Sequence, residues 1–191
     1  MRKLMLCLVG FCMVLPAPRA HADDFQVDLD VSYSVSNPDY FAFENGEGIS
    51  IYGEASYDDS WMLVGRHNDA AFRPSGPVAG GIVESWSEIG LGYRIRWSAA
   101  WASELIISSQ HVDNTRGSES GFLVQVGARF EALDTLSLAL HVGYLDVLIE
   151  DWTINIESKY QLHRHIYAVA RLRDYGDWDL TYYELGLGLR F

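Results

Sequence analysis

The chain has 191 residues, 49% of them hydrophobic, with 26 acidic and 14 basic side chains and a formal net charge of −12 at pH 7. This acidic excess argues against binding of nucleic acid or anionic lipid through bulk charge. Beyond the N-terminal segment, no apolar stretch approaches the roughly 20 residues of a membrane-spanning helix. If the chain crosses a membrane, it must therefore do so as a closed barrel.

The first 22 residues have the features of a secretory signal peptide. The start is basic, residues 4–15 form an apolar run too short to span a bilayer, and Ala20 and Ala22 provide the small residues of a cleavage site before Asp23. We predict cleavage after Ala22 and one domain over residues 23–191, with a net charge of −15 because the signal holds three basic residues and no acidic one. Both cysteines lie in the signal, so the mature chain can form no disulfide.

The first part of the mature chain predicts three β-strands. Residues 23–35 alternate apolar and polar side chains with the period of two that sends them to opposite faces of a strand. The sequence Asn37-Pro38-Asp39 predicts the end of this strand. Residues 49–57 and 61–67 alternate in the same way, and the short polar link between them predicts a hairpin. Residues 68–82, which contain proline and glycine, are predicted as a long loop.

Six further segments show the same alternation and are predicted as strands. They are residues 86–97, 101–112, 122–130, 136–144, 153–162 and 166–173. Polar residues separate several of them, and residues 113–120, 146–151 and 174–179 are predicted as loops.

The last ten residues, 182–191, predict a closing strand. One face of this strand is apolar, and the other carries polar residues or glycine. Its pattern, with an aromatic residue at the last position, is similar to the C-terminal assembly signal of outer-membrane β-barrels. The apolar face of that predicted signal consists of Tyr183, Leu185, Leu187, Leu189 and Phe191.

The ten segments predict a single closed antiparallel transmembrane β-barrel, all-β, in the bacterial outer membrane. Turns after the even-numbered strands are short, whereas most connections after the odd-numbered strands are longer and acidic, a pattern typical of such barrels. The predicted loops carry thirteen acidic and two basic residues. Eight strands are the alternative if the first strand and one weak hairpin are misassigned.

The polar faces of the predicted strands carry charges of both signs in nearly equal number. Near-balance suits a confined lumen, where an unpaired charge is costly. We therefore predict an interior charge network. Its members are Asp28, Asp30, Glu54, Arg66, Glu88, Arg94, Arg96, Glu104, Arg129, Glu157, Lys159, Arg171, Arg173, Glu184 and Arg190.

Aromatic residues cluster at both ends of the predicted strands, as expected where rings sit at the lipid headgroups. The predicted periplasmic girdle is Tyr57, Trp61, Trp97, Trp101, Phe130, Tyr160 and Phe191. The predicted outer girdle is Tyr33, Trp86, Phe122, Tyr144, Trp152, Tyr182 and Tyr183.

The mature chain resembles the small outer-membrane β-barrel superfamily that includes OmpX, the OmpA transmembrane domain and the opacity proteins. Three stretches carry this resemblance: the hairpin over residues 48–66, the strand from Ile89 to Trp97, and the last strand. The ten predicted strands depart from the eight of those members. The resemblance implies outer-membrane lipids, lipopolysaccharide, barrel-assembly machinery and periplasmic chaperones as partners, and a monomer.

Three functions fit this sequence. The first is a structural or surface-interaction role with a largely side-chain-filled lumen, because a barrel of this size has an interior just wide enough for side chains. The second is a narrow, porin-like channel, since inward glycines leave room. No cofactor or metal site is predicted.

The third function is lipid-A modification, which some small barrels perform with a serine, a histidine and an acid. His141 is predicted to face the lumen. His111 has Ser108, Ser109 and Asp113 close in sequence, but neighbouring strand residues alternate faces. We therefore assign no catalytic residue and expect no enzymatic activity.

Overall fold

The structure is a computed structural model that describes residues 25–38, 45–72, 82–114, 117–147, 149–176 and 180–191. The signal peptide, with the predicted cleavage site at Ala20, Ala22 and Asp23, lies outside these ranges and stays a prediction. No helix long and apolar enough to cross a membrane occurs in the described ranges.

Ten strands make up the described chain, as predicted. They are β1 (Phe25–Pro38), β2 (Gly46–Tyr57), β3 (Trp61–Phe72), β4 (Ile82–Arg96), β5 (Trp101–Asn114), β6 (Gly117–Leu133), β7 (Leu136–Val147), β8 (Ile149–His163), β9 (Ile166–Tyr175) and β10 (Leu180–Arg190).

The ten strands form a closed antiparallel barrel. Each strand pairs with its neighbours in sequence, and β1 pairs with β10 from Asp28 opposite Arg190 to Pro38 opposite Leu180. Closure satisfies the edges that an open sheet would expose. The predicted ten-strand barrel is thus confirmed, and the eight-strand alternative is wrong.

Short turns follow β2, β4, β6 and β8, as the sequence predicts. After β2, the amide of Ser60 donates to the carbonyl oxygen of Tyr57 at 3.2 Å. Asp58 and Asp59 between them both have φ of 52°. Aspartate tolerates this left-handed region better than most residues, and two positive φ values suit the twist of a tight hairpin.

The strands reach further than predicted at the other end of the barrel. β1 continues through Pro38, and β3 continues to Phe72. Only residues 115–116 separate β5 from β6, and only residue 148 separates β7 from β8, so the predicted loops over 113–120 and 146–151 are wrong. Cross-strand backbone hydrogen bonds do not require apolar side chains. The ladders therefore continue into polar sequence, which had suggested loops.

The two faces of the barrel are inverted relative to a soluble protein. Leu91 is 64% and Leu185 is 70% exposed on the outside, whereas Asp30 is 1% exposed on the inside. An apolar exterior around a charged interior requires a lipid surrounding. The described chain is thus a transmembrane barrel of the outer-membrane type.

Two aromatic residues of the predicted outer girdle face inward instead. Trp86 is 4% and Tyr182 is 2% exposed. Both share the strand parity of the lumen-facing charges, because Trp86 lies two residues from Glu88 and Tyr182 two residues from Glu184. Their proximity to a strand end had suggested a position at the lipid headgroups. Whether a strand residue faces the lumen or the lipid depends, however, on its odd or even position along the strand.

Candidate functional site

Arg171 on β9 is buried in the barrel interior. Its Nη1 and Nη2 donate to both carboxylate oxygens of Asp30 at 2.7 and 2.6 Å, and its Nε donates to Glu157 at 2.7 Å. Glu184 lies 3.5 Å from Nη1, and the guanidinium carbon is 4.5 Å from the ring centroid of Tyr52. Three carboxylates and an aromatic face thus surround one cation, which suits the planar, multidentate arginine side chain.

Glu104 on β5 is a second hub, nearer the short turns. Its Oε1 accepts hydrogen bonds from Arg94 at 2.6 Å and from Arg129 at 2.8 Å, and its Oε2 lies 2.7 Å from Nε2 of His141. Arg94 also donates to Glu54 at 2.8 Å. Arg94 bridges two carboxylates and Arg129 lies within 4 Å of three, so the pairs merge into a network.

Asp28 on β1 connects the network to β8 and to the last strand. It accepts from Lys159 at 3.1 Å and, through two hydrogen bonds of 2.8 Å, from Arg190 in the last strand. Lys159 lies 3.6 Å from Glu157, which is 3.5 Å from Arg129. These contacts join the two hubs into one ion-paired cluster that we call the interior network.

The interior network contains eleven of the fifteen residues that the sequence places there. They are Asp28, Asp30, Glu54, Arg94, Glu104, Arg129, Glu157, Lys159, Arg171, Glu184 and Arg190. His141 joins them through Glu104. Its inward strand parity was visible in the sequence, but its partner was not.

Four of the fifteen predicted residues stand apart. Arg96 is exposed at the end of β4 and pairs with Asp59 of the β2–β3 turn at 3.4 Å. Glu88 accepts a hydrogen bond from Ser108 at 2.9 Å. Arg66 and Arg173 make no ion pair within 4 Å among the described residues.

A small cavity lies beside the interior network. It has a volume of about 20 Å³, and Arg66, Arg173, His141 and Asn155 contribute to its lining. Polar atoms of all four lack a hydrogen-bond partner within the described chain, including Nε and Nη1 of Arg66 and Oδ1 of Asn155. The volume and the polar lining suit about one buried water molecule.

An apolar cluster of buried side chains lies in the lumen on the side away from the short turns. Trp86 packs against Tyr175 with ring centroids 5.3 Å apart, and Tyr175 meets Tyr182 edge-on at 6.0 Å. The members of this apolar plug are Ala70, Phe72, Trp86, Val112, Leu123, Leu145, Val147, Tyr175, Leu180 and Tyr182. The sequence did not predict this plug, because it assigned the inward face to charges and glycines.

The outward face carries polar residues at the loop end of β3 to β6. Nδ1 of His67 lies 2.9 Å from the hydroxyl of Ser87, and its Nε2 lies 3.3 Å from Asp69. His111 lies 2.8 Å from the hydroxyl of Ser120. The two serines lie 20 and 9 residues from their histidines in the sequence. Only the strand register, which sets Ser87 opposite His67 and His111 and sets Ser120 opposite His111, brings these groups together.

The predicted assembly signal lies on the outside of β10. Tyr183, Leu185, Leu187, Leu189 and Phe191 are 45–70% exposed. Phe191 also closes the barrel through its backbone, since its amide donates to the carbonyl oxygen of Val27 at 2.9 Å and its carbonyl oxygen accepts from the amide of Val27 at 3.0 Å.

The chain matches no protein-family model and no curated protein. Its fold is similar to that of three solved bacterial structures. The first is the translocator domain of the autotransporter NalP from Neisseria meningitidis (TM-score 0.51, 9% identity, 100% of this chain and 95% of that one). The second is the β domain of the Bordetella autotransporter BrkA (TM-score 0.51, 11% identity, 88% and 99%). The third is an outer membrane channel from Pseudomonas putida F1 (TM-score 0.50, 12% identity, 93% and 98%).

These likenesses concern the fold alone. Together with the apolar exterior and the closed strand order, they define the class: this chain is a bacterial outer-membrane β-barrel protein. The predicted location is thereby confirmed, and the fold agrees with the predicted resemblance to small outer-membrane barrels.

Proposed function

We propose that this barrel is a non-conducting outer-membrane protein with a structural or surface-interaction role. The observation that supports the proposal is that two clusters of buried side chains, one charged and one apolar, follow each other along the lumen. The interior network occupies the half nearer the short turns, and the apolar plug occupies the other half. A hydrated ion would have to displace paired charges and then cross an aromatic constriction.

The size of the cavity supports the same proposal. The space beside the interior network, about 20 Å³, holds about one water molecule. Inward glycines favour a channel when considered alone. In the structure, however, neighbouring side chains occupy the space beside Gly188 and Gly127. An added Cβ at Gly188 would lie 2.2 Å from Cζ of Tyr167, and at Gly127 it would lie 2.3 Å from Cδ2 of His141. We therefore prefer a filled barrel to a porin-like passage.

A surface role in the proposal rests on the acidic ends of the strands. Glu47, Asp69, Asp113, Glu119 and Asp146 are exposed at the loop end. Carboxylates are hard oxygen ligands for divalent cations, which can bridge them to the phosphates of lipopolysaccharide. Lipopolysaccharide is thus the partner that we propose, with the protein acting as a monomer.

The test is deletion of the gene in its own bacterium. We expect greater sensitivity to detergents and to large antibiotics, restored by the wild-type gene, and no change in the uptake of small hydrophilic solutes. A copy with Glu47→Gln, Asp113→Asn and Asp146→Asn should assemble normally yet restore less resistance. Slower uptake of small solutes in the deletion strain, with unchanged envelope resistance, would refute the structural role and favour the channel.

A further inference from the structure

We propose that Ser87, His67 and Asp69 form a hydrolytic site on the outer surface of the barrel, which cleaves an acyl ester of an outer-leaflet lipid. Nδ1 of His67 is 2.9 Å from Oγ of Ser87, and Nε2 of His67 is 3.3 Å from Oδ1 of Asp69. A serine, a histidine and an acid in this order are the parts of a nucleophile, its base and the group that orients the base. The site does not depend on the lumen, so it holds whether or not the barrel conducts.

The fold holds the three side chains rigidly. His67 and Asp69 are two residues apart on β3 and therefore share a face, and Ser87 is the register partner of His67 on β4. All three point outward, on the face that carries the exposed Ile49 and Ile89. Polar side chains on the lipid-facing side destabilise a barrel. A barrel with a purely structural role would not need them there.

The position along the strands indicates the membrane leaflet. His67 lies six residues beyond Trp61 of the short-turn end, which is about 20 Å along the strand at a rise of roughly 3.3 Å per residue. Strands of such barrels tilt by about 40°, so this distance is roughly 15 Å along the membrane normal, past the middle of an apolar band about 25 Å tall, and the site lies in the outer half of the membrane. Its side chains are open to this region, since those of His67 and Asp69 are 23% and 52% exposed.

An apolar groove begins beside the site and runs towards the short turns. Its volume is about 690 Å³, and Trp61, Leu63, Ile89, Leu91 and Ile107 contribute to its lining. Ile89 is the next outward residue after Ser87 on β4. Gly65, the next outward residue after His67 on β3, leaves open space there, because an added Cβ would have no neighbour closer than 3.9 Å. An acyl chain lying in this groove brings its ester to Ser87.

The reaction is an ester hydrolysis with a covalent intermediate. Oγ of Ser87 attacks the ester carbonyl carbon while Nδ1 of His67 takes the hydroxyl proton, and Asp69 accepts a hydrogen bond from Nε2 and fixes this tautomer. The tetrahedral intermediate expels the alcohol, which receives the proton from His67. Water, deprotonated by the same nitrogen, then attacks the acyl-serine. The products are a free fatty acid and the deacylated lipid.

The negative oxygen of the intermediate needs a hydrogen-bond donor. Both backbone ladders of β4 are formed at Ser87, so a side chain must supply it. His111 is the register partner of Ser87 on β5, and its Nδ1 lies 2.8 Å from Ser120. We assign the N–H of its other ring nitrogen, Nε2, to this role.

The test uses the full-length mature protein, purified in detergent and shown to be folded by its heat-dependent gel mobility. It is incubated with phosphatidylethanolamine in one arm and lipopolysaccharide in the other, and released fatty acids are measured by mass spectrometry. A fluorophosphonate probe labels the nucleophile, and peptide mapping locates it. We expect fatty acid from at least one lipid and the label on Ser87. The lipid that is cleaved identifies the substrate.

The variants separate catalysis from folding. Ser87→Ala should abolish both release and label, and His67→Asn should lower the rate by at least about 100-fold. Ser109→Ala is the matched control, because Ser109 faces outward on β5 opposite Ile89, and it should keep the wild-type rate. Release that survives Ser87→Ala, or no release from either lipid by folded wild-type protein, would overturn the proposal. A label on Ser87 without release would overturn it too.

Discussion

Arg171 on β9 and Asp30 on β1 form a two-fold hydrogen-bonded ion pair at 2.6 and 2.7 Å, although β10 lies between their strands. A glycine on the intervening strand lets a third side chain reach the same carboxylate. Gly188 is the register partner of Asp30, and its missing side chain leaves space that Tyr167 occupies. Tyr167 in turn donates to Asp30 at 3.1 Å. Gly188 thus gives Tyr167 the space in which it supports the buried carboxylate of Asp30.

Removal of Arg171 should destabilise the barrel far more than removal of Arg66. Arg171→Met leaves three carboxylates without their central cation, a loss of about 3–5 kcal/mol in the free energy of unfolding. Arg66 makes no ion pair within 4 Å among the described residues and has two unpartnered buried nitrogens. Arg66→Met should therefore change the free energy of unfolding by about 1 kcal/mol or less. Urea unfolding in lipid vesicles, followed by tryptophan fluorescence, measures both. Equal losses of unfolding free energy in the two variants would contradict a central role for Arg171 in the interior network.

Gly188→Ala should be destabilising, whereas Gly53→Ala should be nearly neutral. A Cβ at Gly188 would lie 2.2 Å from Cζ of Tyr167, whereas at Gly53 the nearest atom, Cδ1 of Leu29, is 3.6 Å away. The ring of Tyr167 must move in the first variant and give up its bond to Asp30, at a cost of about 1–3 kcal/mol. The same unfolding assay compares the two. If Gly188→Ala is neutral, the ring does not fill this space.

Deletion of Phe191 should impair assembly more than Phe191→Ala does. The deletion removes two backbone hydrogen bonds to Val27 together with the ring, whereas the alanine variant loses only the exposed ring. The fraction of heat-modifiable barrel in isolated outer membranes is the measurement. Asp134→Ala, in the β6–β7 turn, is the control and should assemble normally. Wild-type levels of the deletion variant would contradict a closing role for the last residue.

The sequence predicted the strands and the side-chain faces because both follow from local alternation. Asp30 and Arg171 were assigned to the lumen by parity alone, but their pairing was not predictable, since contact across β10 depends on the register and curvature of the closed barrel. The extent of β5 and β6 was missed because polar residues in a solvated ladder resemble a loop. The sequence did not predict the contact between His67 and Ser87, nor the contact between His141 and Glu104, and the reason is the same for both. Each joins side chains 20 or more residues apart in the sequence.

The filled lumen is tested most directly by single-channel recording of the purified barrel in a planar lipid bilayer at high salt. Wild-type protein should insert without producing conductance steps, because the interior network and the apolar plug lie in series. Arg171→Met should also be silent, since the plug persists, whereas a variant that adds Trp86→Ala and Tyr182→Ala should conduct. Stable, salt-dependent steps from the wild-type protein would contradict the closed lumen.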